Sequence, residues 1–167
     1  MILTVTLDAA PDLTYRLPEV RPHASNRVRS VSGQAGGKGI NVARVLAAPG
    51  HAATVTGLVG GPTGQAVRAE LAEAGLPDER VEVAGETRRT VAVADDRDTT
   101  VLLEPGPEIS PPEWRRFLAH LRRAVALSAA AVLAPQAGRF DAEAHHLLAL
   151  VRTEELGRTH PQGEACP

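Results

Sequence analysis

The sequence predicts an α/β fold in which helices cover a mostly parallel β-sheet. Two observations support this prediction. Short runs of β-branched and apolar residues alternate along the chain with longer segments that carry apolar residues at helical spacing. Several further short strands, near residues 13–32 and 88–103, interrupt that alternation. They fit better in a second, smaller sheet than in the main one.

Apolar patterns and end signals predict the individual elements. The predicted main-sheet strands are residues 2–7, 51–59, 80–84 and 129–133. The predicted strands of the second sheet are residues 13–17, 26–32, 89–94 and 99–103. The predicted helices are residues 39–48, 65–74 with Thr63 as N-cap, 110–127 and 141–152. The third helix begins with a Ser110-Pro-Pro-Glu113 capping box.

Length, composition and charge limit the classes of function. The 167 residues, 43% of them hydrophobic, are enough to bury one ordinary core. The 18 basic and 20 acidic side chains give a net charge of -2, without the basic excess that binding to a nucleic-acid backbone needs. No run approaches the roughly 18 apolar residues of a membrane span, and the single cysteine, Cys166, allows no internal disulfide. We therefore expect a soluble, cytoplasmic protein without a nucleic-acid or membrane partner.

The most informative segment is AGGKGINVA at residues 35–43, where a glycine run leads directly into a predicted helix. Glycine lets the backbone approach a ligand closely, and a helix N-terminus offers free N–H groups and a partial positive charge. This arrangement suits an anionic or hydroxyl-rich ligand. Lys38, the only lysine of the chain, lies inside the run. A tight strand-to-helix turn that binds nothing is the alternative interpretation.

Two well-known phosphate-binding motifs do not fit this segment. A P-loop would have glycine at Ser32 and serine or threonine at Gly39, and a dinucleotide fingerprint starting at Gly37 would have glycine at Val42. The segment instead resembles the first signature of the phosphofructokinase B (ribokinase-like) family of carbohydrate kinases. All of its required positions are filled, by Gly36, Gly37, Gly39, Asn41, Ala43, Gly50 and Gly60. Within that family, the chain resembles 1-phosphofructokinase and tagatose-6-phosphate kinase most.

The resemblance extends to residues on both sides of the signature. Asp12 falls on the family aspartate that binds sugar hydroxyls, although Asp8, Ala9 and Pro11 depart from the usual residues of that loop. Arg88 falls on the arginine that reaches the substrate phosphate. A carboxylate can accept hydrogen bonds from hydroxyl groups, and a guanidinium can bind phosphate. Without the family pattern, Asp12 would be interpreted as a turn residue and Arg88 as part of a solvated strand edge. The implied substrate-binding residues are Asp12, Arg27, Gly36, Gly37, Lys38, Asn41 and Arg88.

The family resemblance implies a ribokinase-like sheet with flanking helices and a small β lid formed by the strands near 13–32 and 88–103. It implies ATP-dependent phosphorylation of a sugar phosphate, as in the conversion of fructose 1-phosphate to fructose 1,6-bisphosphate, with ATP and Mg²⁺ as cofactors. The implied partners are a small phosphosugar and a second copy of the chain, paired through the lid.

The resemblance runs from residue 1 to about residue 133, roughly the first half of a family member. The family's catalytic base lies in a Gly-Ala-Gly-Asp motif that does not occur in these residues. We therefore assign no catalytic residue and expect the C-terminal half, with the nucleotide site, to be missing. Residues 1–152 would be the N-terminal part of a kinase domain, and residues 153–167 a disordered or aberrant tail. A broken kinase gene and a genuine short sugar-phosphate-binding remnant or non-catalytic module remain alternatives.

Two further features have plain structural interpretations. His145 and His146 are adjacent on a predicted helix and therefore point in different directions, so no metal site is expected there. Trp114 and Phe117 lie three residues apart on the helix after Ser110, a spacing typical of core or interface packing.

Overall fold

A computed structural model describes residues 1–128 and 130–133 of the chain. The predicted helix at 141–152, with His145 and His146, and the predicted tail at 153–167 lie outside the described residues. In chain order the elements are β1 (Ile2–Thr6), β2 (Ala10–Arg16), β3 (Ser30–Gly36), α1 (Lys38–Ala47), β4 (Ala53–Val59), α2 (Gly61–Glu73), β5 (Val81–Glu82), β6 (Thr90–Ala94), β7 (Thr99–Leu103), α3 (Pro111–Leu127) and β8 (Ala130–Leu133).

The main sheet has the strand order β5-β4-β1-β8, and all three of its strand pairs are parallel. β1 lies between β4 and β8, with Ile2 opposite Ala53 on one side and Ala130 on the other. Every residue of β4 is buried, as expected for a parallel strand covered on both faces. The parallel sheet predicted from the sequence is therefore confirmed.

Helices cover both faces of the main sheet. Ile40 of α1 and Leu71 of α2 belong to one buried cluster with Val55 of β4. The next residue, Thr56, points to the opposite face because side chains alternate along a strand. There the Oγ1 of Thr56 lies 3.1 Å from the Nε2 of His120 on α3. Phe117 of α3 is fully buried.

The second sheet has the order β3-β2-β6-β7 and shares no strand with the main sheet. β2 pairs antiparallel with β3 and parallel with β6, and β6 pairs antiparallel with β7. The strands near residues 13–32 and 88–103 therefore form a separate small sheet, as predicted. We call these four strands the lid sheet. Its surface exposes four large apolar side chains, Val31, Val101, Leu102 and Leu103.

Several predicted boundaries are wrong. The strand expected at 26–32 begins at Ser30 and continues through the glycine run to Gly36, because pairing with β2 outweighs the low strand propensity of glycine. The strand expected at 80–84 is only Val81–Glu82. The helix expected at 65–74 with Thr63 as N-cap is Gly61–Glu73, and its N-cap is Gly60.

The predicted start of α3 is confirmed in detail. Ser110 is the N-cap, and both hydrogen bonds of the capping box with Glu113 are present. The carboxylate of Glu113 also accepts a hydrogen bond of 2.7 Å from the N–H of Ala84, which ties the helix to the segment after β5. Trp114 and Phe117 pack edge to face, with ring centroids 5.8 Å apart, in agreement with the packing role predicted for them.

Candidate functional site

The glycine run brings the N-terminus of α1 onto the carboxyl end of β1. Gly37 is the N-cap of α1 and has a φ of 118°, a conformation that residues with a side chain rarely adopt. A Cβ at Gly39 would lie 2.4 Å from the Oγ1 of Thr6 and 2.6 Å from the backbone oxygen of Val5. The first turn of α1 can therefore approach β1 this closely only without side chains at these positions. The carboxyl ends of parallel strands are where α/β proteins usually bind ligands.

Asp12 lies beside the glycine run through the pairing of β2 with β3. A Cβ at Gly36 would lie 2.2 Å from the Oδ2 of Asp12 and 2.8 Å from the backbone oxygen of Ala10. The Asp12 carboxylate thus occupies the space that a side chain at residue 36 would fill. The structure brings Asp12, Gly36 and Gly37 together, and a carboxylate over bare backbone can accept hydrogen bonds from a ligand's hydroxyl groups.

A pair of charged side chains fixes the peptide just before the glycine run. The N–H of Ala35 donates to the Oε2 of Glu70 at 2.5 Å, and its carbonyl oxygen accepts from the Nη1 of Arg44 at 2.5 Å. Arg44 and Glu70 also form a salt bridge of 2.7 Å between α1 and α2. The outer edge of β3 is thereby anchored to both helices. Sequence analysis did not identify this pair, because the two residues are 26 positions apart.

Arg88 lies two residues before β6, at the same end of the lid sheet as Ala10 and Gly36. Its Nε donates a hydrogen bond of 2.8 Å to the Oδ2 of Asp8, and the two side chains are only 15% and 18% exposed. Burial raises the pKa of the Asp8 carboxyl, and the positive charge and hydrogen bond of Arg88 act against that rise. Asp8 is a residue of the candidate site that sequence analysis did not assign, and its departure from the family pattern was the only signal for it.

The two residues before Arg88 are held by the start of α2. The Oγ1 of Thr87 accepts from the N–H of Gly60 at 2.9 Å, and the N–H of Thr87 donates to the carbonyl oxygen of Gly60 at 2.9 Å. The Oε1 of Glu86 accepts from the N–H of Thr63 at 2.8 Å, and the hydrogen bonds from Thr63 lower the pKa of Glu86. Glu86 therefore satisfies a free N–H of α2 from outside the helix, which explains why Thr63 is not needed as the N-cap.

The remaining residues implied by the resemblance are placed differently. Lys38 and Asn41 are exposed residues of the first turn of α1, next to the glycine run. Arg27 is exposed in the loop between β2 and β3. Gly36 and Ser30 are at opposite ends of β3, a span of about 20 Å at the usual rise per strand residue. Within this chain, Arg27 is therefore not brought to the cluster around Asp12, Gly36 and Arg88.

A small apolar pocket borders this cluster. It is lined by the ends of β1 and β4 and by the segments that follow β5 and β7, with Leu58, Val83 and Pro107 among its walls and Asp8 at its polar side. The described residues contain no group of three or more histidine, cysteine, aspartate or glutamate side chains that could hold a metal ion. Within the same ranges, none of the helices has the length and apolar character to cross a membrane.

Comparison with known proteins agrees with this geometry. The model of the pfkB family carbohydrate kinases matches residues 3–144, which is most of the chain. The chain belongs to the pfkB family of carbohydrate kinases. The matched residues include Asp12, the glycine run and Arg88.

Solved structures described as phosphofructokinases share the fold of this pfkB chain. It is similar to a possible 1-phosphofructokinase from Thermotoga maritima, with a TM-score of 0.81 and 26% identity over 92% of this chain. It is also similar to phosphofructokinase-2 from Escherichia coli in complex with fructose-6-phosphate, with a TM-score of 0.77 and 27% identity over 91% of this chain. The matches cover 51% of each of those two chains. The present chain thus spans about half the length of the structures that it matches.

Proposed function

We propose that this pfkB-family chain provides the sugar-phosphate-binding part of a kinase that phosphorylates a phosphosugar with ATP. Fructose 1-phosphate, converted to fructose 1,6-bisphosphate, is the proposed substrate. The observation that carries the proposal is that Asp12 and Arg88 lie at the same end of the lid sheet as the glycine run, on the neighbouring strand β2 and just before β6. The Asp12 carboxylate can accept hydrogen bonds from sugar hydroxyls, and the Arg88 guanidinium can bind a phosphate.

Each residue of the cluster has a distinct proposed role. The Asp12 carboxylate accepts hydrogen bonds from sugar hydroxyls, and the bare backbone at Gly36 leaves the room that this carboxylate occupies. The N-terminus of α1, with Lys38 and the Asn41 amide on its first turn, adds donors and positive potential. Arg88 holds the phosphate already present on the substrate. Arg27 lies beyond the far end of β3 from this cluster, so we do not propose it as a contact to the same sugar phosphate.

ATP and Mg²⁺ are proposed as the cofactors of the whole kinase. The phosphoryl group would come from ATP, with the metal ion neutralising its charge. We assign none of the described residues as a ligand of the metal ion, which in kinases is usually held by one or two carboxylates together with the nucleotide phosphates. The role that the geometry supports for this chain is therefore to bind and orient the acceptor sugar.

A second candidate function is phosphosugar binding without phosphoryl transfer. It is favoured by one observation, namely that Asp12 and Arg88, whose groups suit hydroxyls and phosphate, lie at the same end of the lid sheet. A coupled assay with the 167-residue chain, ATP, Mg²⁺ and fructose 1-phosphate distinguishes the two. Turnover of about 1 s⁻¹ or more, within the ordinary range of kinases, would contradict binding alone. Binding without turnover would support it.

We further propose that two copies of the chain pair through the lid sheet, in the cytoplasm. The exposed side chains of Val31 and Leu102 support this proposal, because the strand register places them on the same face of the lid sheet and exposed apolar groups are typical of protein interfaces. Sedimentation of the wild-type chain and of Leu102→Asp tests it. A dimer that becomes a monomer on substitution is the expected result, and a wild-type monomer would contradict the pairing.

Calorimetric titration with fructose 1-phosphate and tagatose 6-phosphate tests the substrate site. We expect Arg88→Ala to weaken binding by about tenfold or more, because hydrogen bonds to a charged group contribute strongly to affinity. The matched control is Arg89→Ala, which removes a neighbouring arginine that forms an exposed pair with Glu104. We expect its affinity to change by no more than about twofold. Equal binding by wild type and Arg88→Ala would remove Arg88 from the site.

A further inference from the structure

One contact in the candidate site is not explained by the binding of a phosphosugar. Arg88, the proposed phosphate ligand, already donates its Nε–H to the carboxylate of Asp8 at 2.8 Å. A guanidinium has five N–H donors, and this contact uses the one at Nε. The donors at the two Nη atoms are those with which a phosphate would form a forked pair. A phosphate bound there would therefore lie close to a negative charge that belongs to the protein.

We propose that Asp8 is a specificity-determining residue, whose carboxylate reduces the affinity of Arg88 for a phosphate dianion relative to an uncharged sugar group. The inference rests on the proposed function of Arg88. The Asp8–Arg88 pair has no net charge, so the attraction of the guanidinium for an anion is largely cancelled. Because both side chains are mostly buried, solvent and salt screen the repulsion between carboxylate and phosphate less than at an exposed site.

The surroundings of Asp8 show that its position is built into the fold. A Cβ at Gly106 would lie 2.7 Å from the Oδ1 of Asp8, so the carboxylate packs against bare backbone after β7. Asp8 also borders the apolar pocket that contains Leu58 and Pro107. A carboxylate in such a place is stable only beside a cation, and burial accordingly raises its pKa while Arg88 opposes that effect. The salt bridge between Asp8 and Arg88 thus fixes the position of both side chains in the candidate site.

A purely structural role for Asp8 makes a different prediction. Asparagine has the same shape, and its Oδ1 can still accept the hydrogen bond from the Nε of Arg88. If Asp8 serves only to orient Arg88, then Asp8→Asn leaves every ligand's affinity unchanged. If its charge matters, the same substitution tightens the binding of phosphorylated ligands and leaves the affinity for neutral ones as it was.

Titration of the 167-residue chain with inorganic phosphate, fructose 1-phosphate and unphosphorylated fructose separates these roles. We expect Asp8→Asn to bind the two phosphate ligands about tenfold or more tightly than wild type, with fructose unchanged. Asp8→Ser serves as a second variant and should show the same direction. Glu104→Gln removes one negative charge from the neighbouring exposed pair with Arg89, and we expect it to change affinity by no more than about twofold.

The outcomes distinguish failure of this inference from failure of the proposed function. If the tighter phosphate binding of Asp8→Asn disappears in the double variant that also carries Arg88→Ala, the roles proposed for Asp8 and for Arg88 are both supported. If Asp8→Asn binds phosphate no more tightly than wild type, while Arg88→Ala binds it more weakly, the role of Asp8 is overturned. The proposed function of Arg88 then remains. An equal gain in Glu104→Gln would show a general charge effect and also overturn it. Absence of phosphate binding in every variant would refute both proposals.

Discussion

Substitution of Gly36 by alanine tests whether the position of Asp12 depends on bare backbone beneath its carboxylate. The new Cβ would lie 2.2 Å from the Oδ2 of Asp12 and 2.8 Å from the backbone oxygen of Ala10. The Asp12 side chain can rotate away, but the Ala10 oxygen belongs to the paired ladder between β2 and β3. We therefore expect both a displaced carboxylate and a strained strand pair.

The size of the effect follows from these two contacts. Overpacking of this kind costs about 1–3 kcal/mol of folding free energy. Replacing glycine also restricts the unfolded chain, which offsets about 0.4–1 kcal/mol of that loss. We expect Gly36→Ala to lower the free energy of unfolding by up to about 2.6 kcal/mol, with a middle value of about 1.3 kcal/mol. Its affinity for fructose 1-phosphate should fall by about tenfold or more, because the hydroxyl acceptor is displaced.

Gly33→Ala is the matched control on the same strand. Its Cβ would meet only the Cδ2 of Leu13 below 3 Å, at 2.8 Å, and that end of a flexible side chain can move. We expect a stability change of less than about 1 kcal/mol and unchanged affinity. Urea unfolding and calorimetric titration of the three proteins give the comparison. Wild-type affinity in Gly36→Ala would show that the carboxylate needs no space above residue 36, and the reasoning would be refuted.

Two further predictions concern the parts that support the site. Thr87→Val keeps the side-chain shape but leaves the N–H of Gly60 without its acceptor. Urea unfolding should therefore show that the free energy of unfolding falls by about 1–3 kcal/mol. A decrease as small as that of the exposed control Thr100→Val would contradict this. The hydroxyl of Ser110, followed by backbone N–H groups of Ala84 and Ser110, lowers the pKa of Glu113 from 4.5 to about 2. Because the folded-state pKa is the lower one, the ionised carboxylate stabilises the fold above about pH 5, and this contribution is lost as the pH falls toward 2. The urea midpoint of wild type should therefore fall more steeply over that range than the midpoint of Glu113→Gln, and parallel curves would exclude Glu113 as the cause.

The features that the sequence predicted well are those that depend on local sequence patterns. The start of α3 was correct because Ser110 and Glu113 are three residues apart and satisfy each other. The separate lid sheet was correct because its strands interrupt an alternating order of strands and helices. In both cases, the determining residues are close in the chain or belong to one regular pattern.

The features that the sequence missed depend on partners far along the chain. The start of α2 was misplaced because its free N–H is satisfied by Glu86, which is 23 residues beyond Thr63. The contact between Asp8 and Arg88 joins residues 80 positions apart. The strand at 26–32 was misplaced because glycine and serine, which disfavour strands, are held in β3 by seven paired positions with β2. The secondary-structure propensity of a short segment does not predict contacts between residues that are far apart in the chain.

The central place of β1 in the main sheet has a consequence for synthesis of the chain on the ribosome. Its partner β4 is complete at Val59, but its other partner, β8, begins only at Ala130. At about 5–20 residues per second, the wait between the two lasts roughly 4–14 s. During that time, one backbone edge of the first strand made has no partner. The nascent protein therefore presents an open edge that can bind chaperones or other nascent chains, and slower translation between residues 59 and 130 should increase its aggregation.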